Sequence, residues 1–203
     1  MKLQPKLLVT YKLFFGLLGF SAIVTEIAVL AQRGLFNGIN FFSYFTIQTN
    51  ILVVVAFLLS VIATAAGKKY RALDVLRAAT TVYILVVGIG FAVLLSGLEG
   101  VALTAVPWDN LVLHYIIPGA VLLDFIIDRP HTLIRFKTGL VWVLYPLAYV
   151  AYSLIRGEST GWYPYPFLNP NVSSYGSIAA TVAGLTFLGI MLILFTTRLT
   201  RRP

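Results

Sequence analysis

Six long apolar runs divide this chain of 203 residues, and they constrain its fold more than any other feature. A helix needs about 20 mostly apolar residues to cross the hydrocarbon core of a bilayer. Hydrophobic residues make up 59% of the chain, which is roughly 120 positions and enough for about six such helices. The pattern therefore predicts an all-α, polytopic membrane protein, a single domain over residues 1–203 with six transmembrane helices in one bundle. The predicted spans are roughly 7–30, 43–66, 74–97, 108–127, 138–155 and 175–197.

The composition excludes several other classes of protein. Charged residues supply only 11% of the chain, against about 25% in a typical soluble domain. In a soluble protein, the net charge of +8 would suggest binding to nucleic acid. Here the basic residues lie between the apolar runs, and no nucleic-acid partner is expected. The chain has no cysteine, which excludes thiol chemistry and iron–sulfur clusters. Two histidines are too few for most protein-only zinc sites, so we expect neither a metal nor a cofactor.

The basic residues are distributed unevenly between the two ends of the predicted bundle. Of the 15 lysines and arginines, 13 flank the termini and the second and fourth connections, and only Arg33 and Arg156 lie on the other side. Cytoplasmic connections are enriched in lysine and arginine. We therefore expect both termini to be cytoplasmic, in a multi-pass protein of a cell membrane, the cytoplasmic membrane if the source is bacterial.

Polar side chains inside the predicted spans are few, and each is a candidate site because the bilayer offers no water to satisfy it. Glu26 lies in the first span and His114 in the fourth. The second span opens with a polar stripe on one helical face: Ser43, Thr46, Thr49 and Asn50. At about 1.5 Å per residue, Glu26, Thr46 and His114 lie roughly 5–9 Å inside the outer ends of their helices, in one layer.

Further polar residues accompany this layer. Asn110 and His114 are four residues apart and share a helical face. Pro118 cannot donate to the His114 carbonyl, so the helix is expected to bend at the histidine. Nearer the cytoplasmic side, Asp124 and Asp128 are expected to pair with Arg129 or another cation of that end.

A threonine and a histidine in one layer suggest acyl transfer. A hydroxyl is a weak nucleophile until a base takes its proton, and histidine is the usual base. Thr46 and His114 are therefore the candidate catalytic pair. Candidate oxyanion donors or groups that orient the imidazole lie nearby: Gln48, Thr49, Asn50, Asn110, Glu26 and a loop tyrosine. In the simpler interpretation, the threonine bonds its own helix, the histidine is a packing residue, and Glu26 pairs with Arg33 or His114.

The last outer connection, Arg156–Tyr175, combines three prolines with five aromatic residues. Proline lowers the cost of ordering a loop, so this segment is a candidate rigid cap over an opening in the bundle. An aromatic belt at headgroup level is the alternative. The candidate cavity or cap residues are Ser43, Trp162, Tyr163, Tyr165 and Phe167.

Three stretches of the sequence resemble a known family, the androgen-induced and androgen-dependent TFPI-regulating membrane proteins with their bacterial Pr-six-Pr relatives. Phe42-Ser43-Tyr44-Phe45-Thr46 is similar to the opening of that family's second span. Asn110 and His114, followed by Pro118, resemble its Asn-x-x-x-His…Pro element. The segment from Thr160 to Phe167 resembles its Thr-Gly…Trp…Tyr-Pro-Phe loop.

Members of that family are intramembrane threonine hydrolases that cleave fatty acid esters of hydroxy fatty acids. The resemblance implies Thr46 as the nucleophile and His114 as its base, acting on a lipophilic ester among membrane lipids. Thr49, a second hydroxyl on the same face, is an alternative nucleophile. The main rival is a non-enzymatic lipid or small-molecule carrier in which Glu26 and His114 bind a proton or headgroup. A haem or quinone redox protein and a structural assembly factor are further alternatives.

Overall fold

The computed structural model describes residues 4–97 and 104–201. Lys2, Arg202 and residues 98–103 of the predicted third connection lie outside the described residues. Within them the protein is all-helical, without a strand, and six helices are long and apolar enough to cross a membrane, as predicted. These are α1 Pro5–Gln32, α2 Phe45–Ala65, α3 Arg71–Leu94, α4 Pro107–Ile127, α5 Phe136–Thr160 and α6 Tyr175–Leu199. The orientation of the termini in a membrane stays a prediction.

Four shorter segments complete the described helices. They are the helix Gly38–Phe42 between α1 and α2, a π-helical turn Val112–Ile116 within α4, a 3-10 turn Val141–Val143 within α5, and a 3-10 turn Pro166–Leu168 before α6.

The helix ends differ from the predicted spans by up to five residues, and two of these differences bear on the site. α5 continues to Thr160, beyond the predicted end at 155, and stops at Gly161, whose φ of 71° favours glycine. α2 begins at Phe45 rather than at 43, because Ser43 caps the C-terminus of the preceding short helix. Ser43 therefore does not belong to the polar face of α2, contrary to the prediction.

The bundle is built around α3. Within the most apolar stretch of each helix, 61% of the residues of α3 are buried, against 11% for α6. α1 packs on α2, α2 packs on α3, and α3 also contacts α4 and α6. α5 reaches the start of α2 through aromatic rings, since Tyr145 and Tyr149 lie 5.5 and 5.0 Å from the ring centroid of Phe45. This aromatic contact fixes the first turn of α2, where Thr46 lies.

The first half of α1 and the residue that follows α6 both contact the connection between α4 and α5. Near the N-terminus, Lys12 pairs with Asp128 of that connection. Near the C-terminus, the Thr200 hydroxyl oxygen accepts from the Ile134 N–H at 3.1 Å. The first and last helices thus have their terminal ends on one side of the bundle.

Four buried or half-buried charges tie the helices together at this end. Lys12 of α1 contacts Asp124 at 2.9 Å and also binds Asp128. Arg77 of α3 contacts the same two carboxylates at 2.8 and 3.1 Å. The two aspartates therefore pair with Lys12 and Arg77 rather than with Arg129, which is exposed. Burial alone would raise the pKa of Asp128, but the charges of Arg77 and Lys12 outweigh burial and lower it.

Candidate active site

A cavity of about 560 Å³ lies at the end of the bundle opposite the termini. Glu26 from α1, Thr46 from α2 and His114 from α4 all line it. The layer of polar residues predicted from helix depth is therefore one wall of a single cavity. The segment between α5 and α6 contributes Tyr163 and Tyr165 to the same cavity.

Thr46 is the second residue of α2, where backbone N–H groups have no partner inside the helix. The Tyr165 Oη accepts from the Thr46 N–H at 3.2 Å and lies 3.3 Å from Thr46 Oγ1. A helical threonine often donates to the carbonyl four residues earlier, but the Phe42 carbonyl accepts from Gln48 Nε2 at 2.9 Å instead. The Thr46 hydroxyl therefore faces Tyr165 and the cavity.

Thr49 and Asn50 are buried within the bundle and do not line the cavity. The Thr49 hydroxyl donates to the Phe45 carbonyl at 2.7 Å. The Asn50 amide donates to the Thr46 carbonyl at 2.9 Å and to the Leu113 carbonyl at 3.3 Å. Since both side chains use their donors elsewhere, the structure does not bring them to the catalytic pair as oxyanion donors.

His114 lies in the π-helical turn of α4, four residues before Pro118. The bend predicted at the histidine is this π-helical turn, in which the Ile117 N–H donates to the Val112 carbonyl, five residues back. The same register would require a donor from Pro118 to the Leu113 carbonyl, and proline has none. The Asn50 amide supplies that donor, so α2 stabilises the turn that carries the histidine.

The imidazole of His114 is held by the backbone and by a ring. Its Nδ1 lies 3.1 Å from the Asn110 carbonyl oxygen. A carbonyl oxygen only accepts, so the proton is on Nδ1 and Nε2 has the free lone pair. The Phe91 ring stacks on the imidazole at a centroid distance of 3.9 Å. Asn110 thus orients the histidine through its backbone carbonyl. The side-chain oxygen of Asn110 is buried and has no hydrogen-bond partner among the described atoms.

No direct hydrogen bond joins Thr46 to His114 in the described part of the chain. The hydroxyl contacts Tyr165, and the imidazole contacts Asn110. They nevertheless border the same cavity, and a general base acts directly or through one water molecule. The hydroxyl of Thr46 and the basic nitrogen of His114 therefore border one cavity.

Glu26 lies against a second carboxyl group, that of Asp109. Both Glu26 oxygens accept from the Ala105 N–H at 2.9 Å, whereas neither carboxyl oxygen of Asp109 has a hydrogen-bond partner among the described atoms. Asp109 is fully buried and does not itself line the cavity. It is a buried carboxyl beside the site that the polar census of the sequence missed. Its place inside the predicted span 108–127 is the signal that points to it.

The segment after α5 packs as a cap on the start of α2. The ring of Tyr44 makes edge contacts with Trp162 and Tyr165 at 5.6 and 5.7 Å, and Tyr165 stacks on Phe167 at 5.1 Å. The Arg156 guanidinium lies 4.6 Å above the Trp162 ring. Burial raises the pKa of the Tyr165 phenol, against the smaller opposite effect of its bonds to Thr46. The Tyr165 hydroxyl therefore stays protonated and is able to donate.

Ser43 lies beside this cap but does not line the cavity. Its hydroxyl donates to the Ile39 carbonyl at 2.6 Å and lies 2.9 Å from the Tyr152 Oη, while its carbonyl accepts from the Tyr149 Oη at 2.9 Å. Ser43 therefore joins α5 to the chain just before α2, and it has no access to the reacting groups.

No protein-family model, no curated protein and no solved structure matches this chain. Among the described residues, no three histidine, aspartate or glutamate side chains are grouped so that they could hold a metal ion.

Proposed function

We propose that this protein is an intramembrane hydrolase of lipophilic esters, with Thr46 as the nucleophile and His114 as the general base. One observation carries the proposal. The Thr46 hydroxyl, which is not bonded to its own helix, borders the same cavity as the imidazole of His114, whose Nε2 bears the lone pair. The other buried hydroxyl of this face, Thr49, donates to the backbone and has no access to the cavity.

The first half of the reaction transfers the acyl group to the protein. Thr46 Oγ1 attacks the ester carbonyl carbon, and its proton passes through one cavity water to His114 Nε2. The carbonyl electron pair moves to oxygen, and the Tyr165 hydroxyl donates to the resulting oxyanion. When the intermediate collapses, the bond between the carbonyl carbon and the alcohol oxygen breaks, and the alcohol leaves with the proton from His114.

The second half restores the enzyme. A water molecule attacks the acyl group on Thr46 while His114 takes a proton from that water. The bond to Thr46 Oγ1 then breaks, and the threonine regains its proton from His114 as the fatty acid leaves. No residue changes its oxidation state, and the overall reaction consumes one water per ester.

The membrane setting supports a substrate that partitions into lipid. The site lies between helices that are long and apolar enough to cross a bilayer, and the cap segment over Thr46 limits access of bulk water. The resemblance to the intramembrane threonine hydrolases adds a first choice of substrate, the fatty acid esters of hydroxy fatty acids.

The test is labelling of the detergent-purified protein with a fluorophosphonate, read by intact mass. The probe reports an activated hydroxyl and needs no knowledge of the substrate. We expect one adduct on the wild type and on Thr49→Val, and none on Thr46→Ala or His114→Ala. Loss of the adduct in Thr49→Val, with retention in Thr46→Ala, would move the nucleophile. Absence of any adduct on folded wild type contradicts the hydrolase.

The carboxyl pair Glu26–Asp109 favours a second candidate, a carrier that binds a proton or a polar headgroup. Ionisable groups inside a membrane often mark transport pathways, and Glu26 lines the cavity while Asp109 is buried behind it. A carrier would tolerate Thr46→Ala and fail on Glu26→Gln. A hydrolase would instead fail on Thr46→Ala and tolerate Glu26→Gln.

A further inference from the structure

A second hollow meets the cavity at Thr46. It is a groove between α3, α5 and α6, with a volume of about 110 Å³. Four residues line both the groove and the cavity: Thr46, Phe91, Leu95 and Tyr165. The candidate nucleophile therefore lies at the junction of two compartments.

The groove differs from the cavity in chemistry. The cavity contains the ionisable groups of Glu26, Arg33 and His114. The groove has no charged residue among those that line it, and aliphatic and aromatic side chains predominate. Two of its tyrosines, Tyr83 and Tyr149, donate their hydroxyls to backbone carbonyls at 2.9 Å and present their rings.

The groove is long and narrow. It runs along α6 from Val182 to Ile193 and along α3 from Leu95 to Val82, which is roughly 16–20 Å at about 1.5 Å per residue. An extended hydrocarbon advances about 1.25 Å per carbon, from C–C bonds of about 1.5 Å at tetrahedral angles. About 13–16 methylenes therefore match its length.

Glycines on the two facing helices leave the groove open because they have no side chain to fill it. A Cβ built at Gly189 of α6 would lie 4.0 Å from Val86, and one at Gly90 of α3 would lie 3.5 Å from Leu185. These are ordinary contact distances, so both positions accept a side chain, which would then project into the groove. α6 is the least buried of the six helices, so the groove lies under the side of the bundle nearest to lipid.

We propose that the groove binds the acyl chain of the ester, while the alcohol part lies in the polar cavity. This inference rests on the proposed hydrolase and adds where each half of the substrate lies. The scissile carbonyl then lies at Thr46, which supplies the one aliphatic hydroxyl among the four residues that line both the groove and the cavity. Burial of each methylene favours binding, so the groove selects esters with acyl chains of about 13–16 carbons.

The experiment compares two alkyl fluorophosphonates, one with a two-carbon and one with a twelve-carbon chain, on the full chain in lipid nanodiscs. The readout is the ratio of their labelling rates, which does not depend on the active fraction of a preparation. We expect wild type to favour the longer probe by tenfold or more. Gly189→Leu should reduce that ratio by about tenfold, and Gly90→Leu, from the opposite wall, should do the same.

Gly184→Leu is the matched control. It lies on the same helix, is exposed, has nothing within 4 Å of a built Cβ, and does not line the groove. It should keep the wild-type ratio. An unchanged ratio in both groove variants, or equal rates of the two probes on wild type, overturns the acyl groove and leaves the hydrolase standing. Failure of both probes on wild type overturns the hydrolase itself and the groove with it.

Discussion

Replacing Tyr165 by phenylalanine separates the two tasks assigned to this residue, holding the first turn of α2 and donating to the reacting oxygen. The phenol oxygen makes two contacts with Thr46, at 3.2 Å to the N–H and 3.3 Å to Oγ1. Both are long, and a hydrogen bond contributes about 0.5–1.5 kcal/mol net. Tyr165→Phe should therefore destabilise the fold by only about 1–2 kcal/mol.

The effect on reaction rate should be larger. Removal of one oxyanion donor lowers rates by roughly 10²–10³, and Tyr165 is the donor closest to Thr46 Oγ1. The fluorophosphonate labelling rate and the unfolding midpoint in detergent are measured on the same preparations. Tyr175→Phe is the control, because Tyr175 is 68% exposed and lies outside the cavity. A variant that loses several kcal/mol of stability, or that labels at the wild-type rate, would refute the assigned role.

Three further perturbations follow from the contacts. Because burial raises the pKa of Tyr165 above the ordinary value, about 10 for tyrosine, its phenol ionises in the unfolded chain before it does in the folded protein. Wild type should then lose stability as pH rises above about 10, and Tyr165→Phe should lose less in the same unfolding series. Lys12→Met leaves two carboxylates with one cation and should cost about 3 kcal/mol, and adding Asp128→Asn should recover part of that loss in denaturant unfolding. Gly157→Ala places a Cβ 2.0 Å from the Tyr163 ring, so it should displace the cap and reduce labelling, whereas Gly176→Ala, with ordinary clearance, should not.

The helical architecture follows from composition and spacing. Apolar runs of membrane length predict the six helices within the described residues, and the prolines and glycines mark their distortions. Even so, α5 exceeds its apolar run by a turn, because its end is set by Gly161 and not by hydropathy. Helix depth also places Glu26, Thr46 and His114 in one layer, and all three line the same cavity.

Contacts between residues that lie far apart in the chain are not predicted by the sequence. Tyr165 contacts Thr46 across 119 positions, and Lys12 reaches Asp128 across 116. Neither pairing has a local motif, since it depends on how the helices pack. The roles of Thr49 and Asn50 also depend on such detail, because their donors are used by the Phe45 carbonyl and by the Thr46 and Leu113 carbonyls, respectively.

The residue that carries the covalent adduct identifies the nucleophile. Wild-type protein labelled with a fluorophosphonate is digested, and the modified peptide is sequenced by mass spectrometry. We expect a single modified residue, Thr46, and no labelled peptide after His114→Ala. An adduct on Thr49, on Tyr165 or on any other hydroxyl, with Thr46 unmodified, would contradict the assignment of Thr46 as the nucleophile.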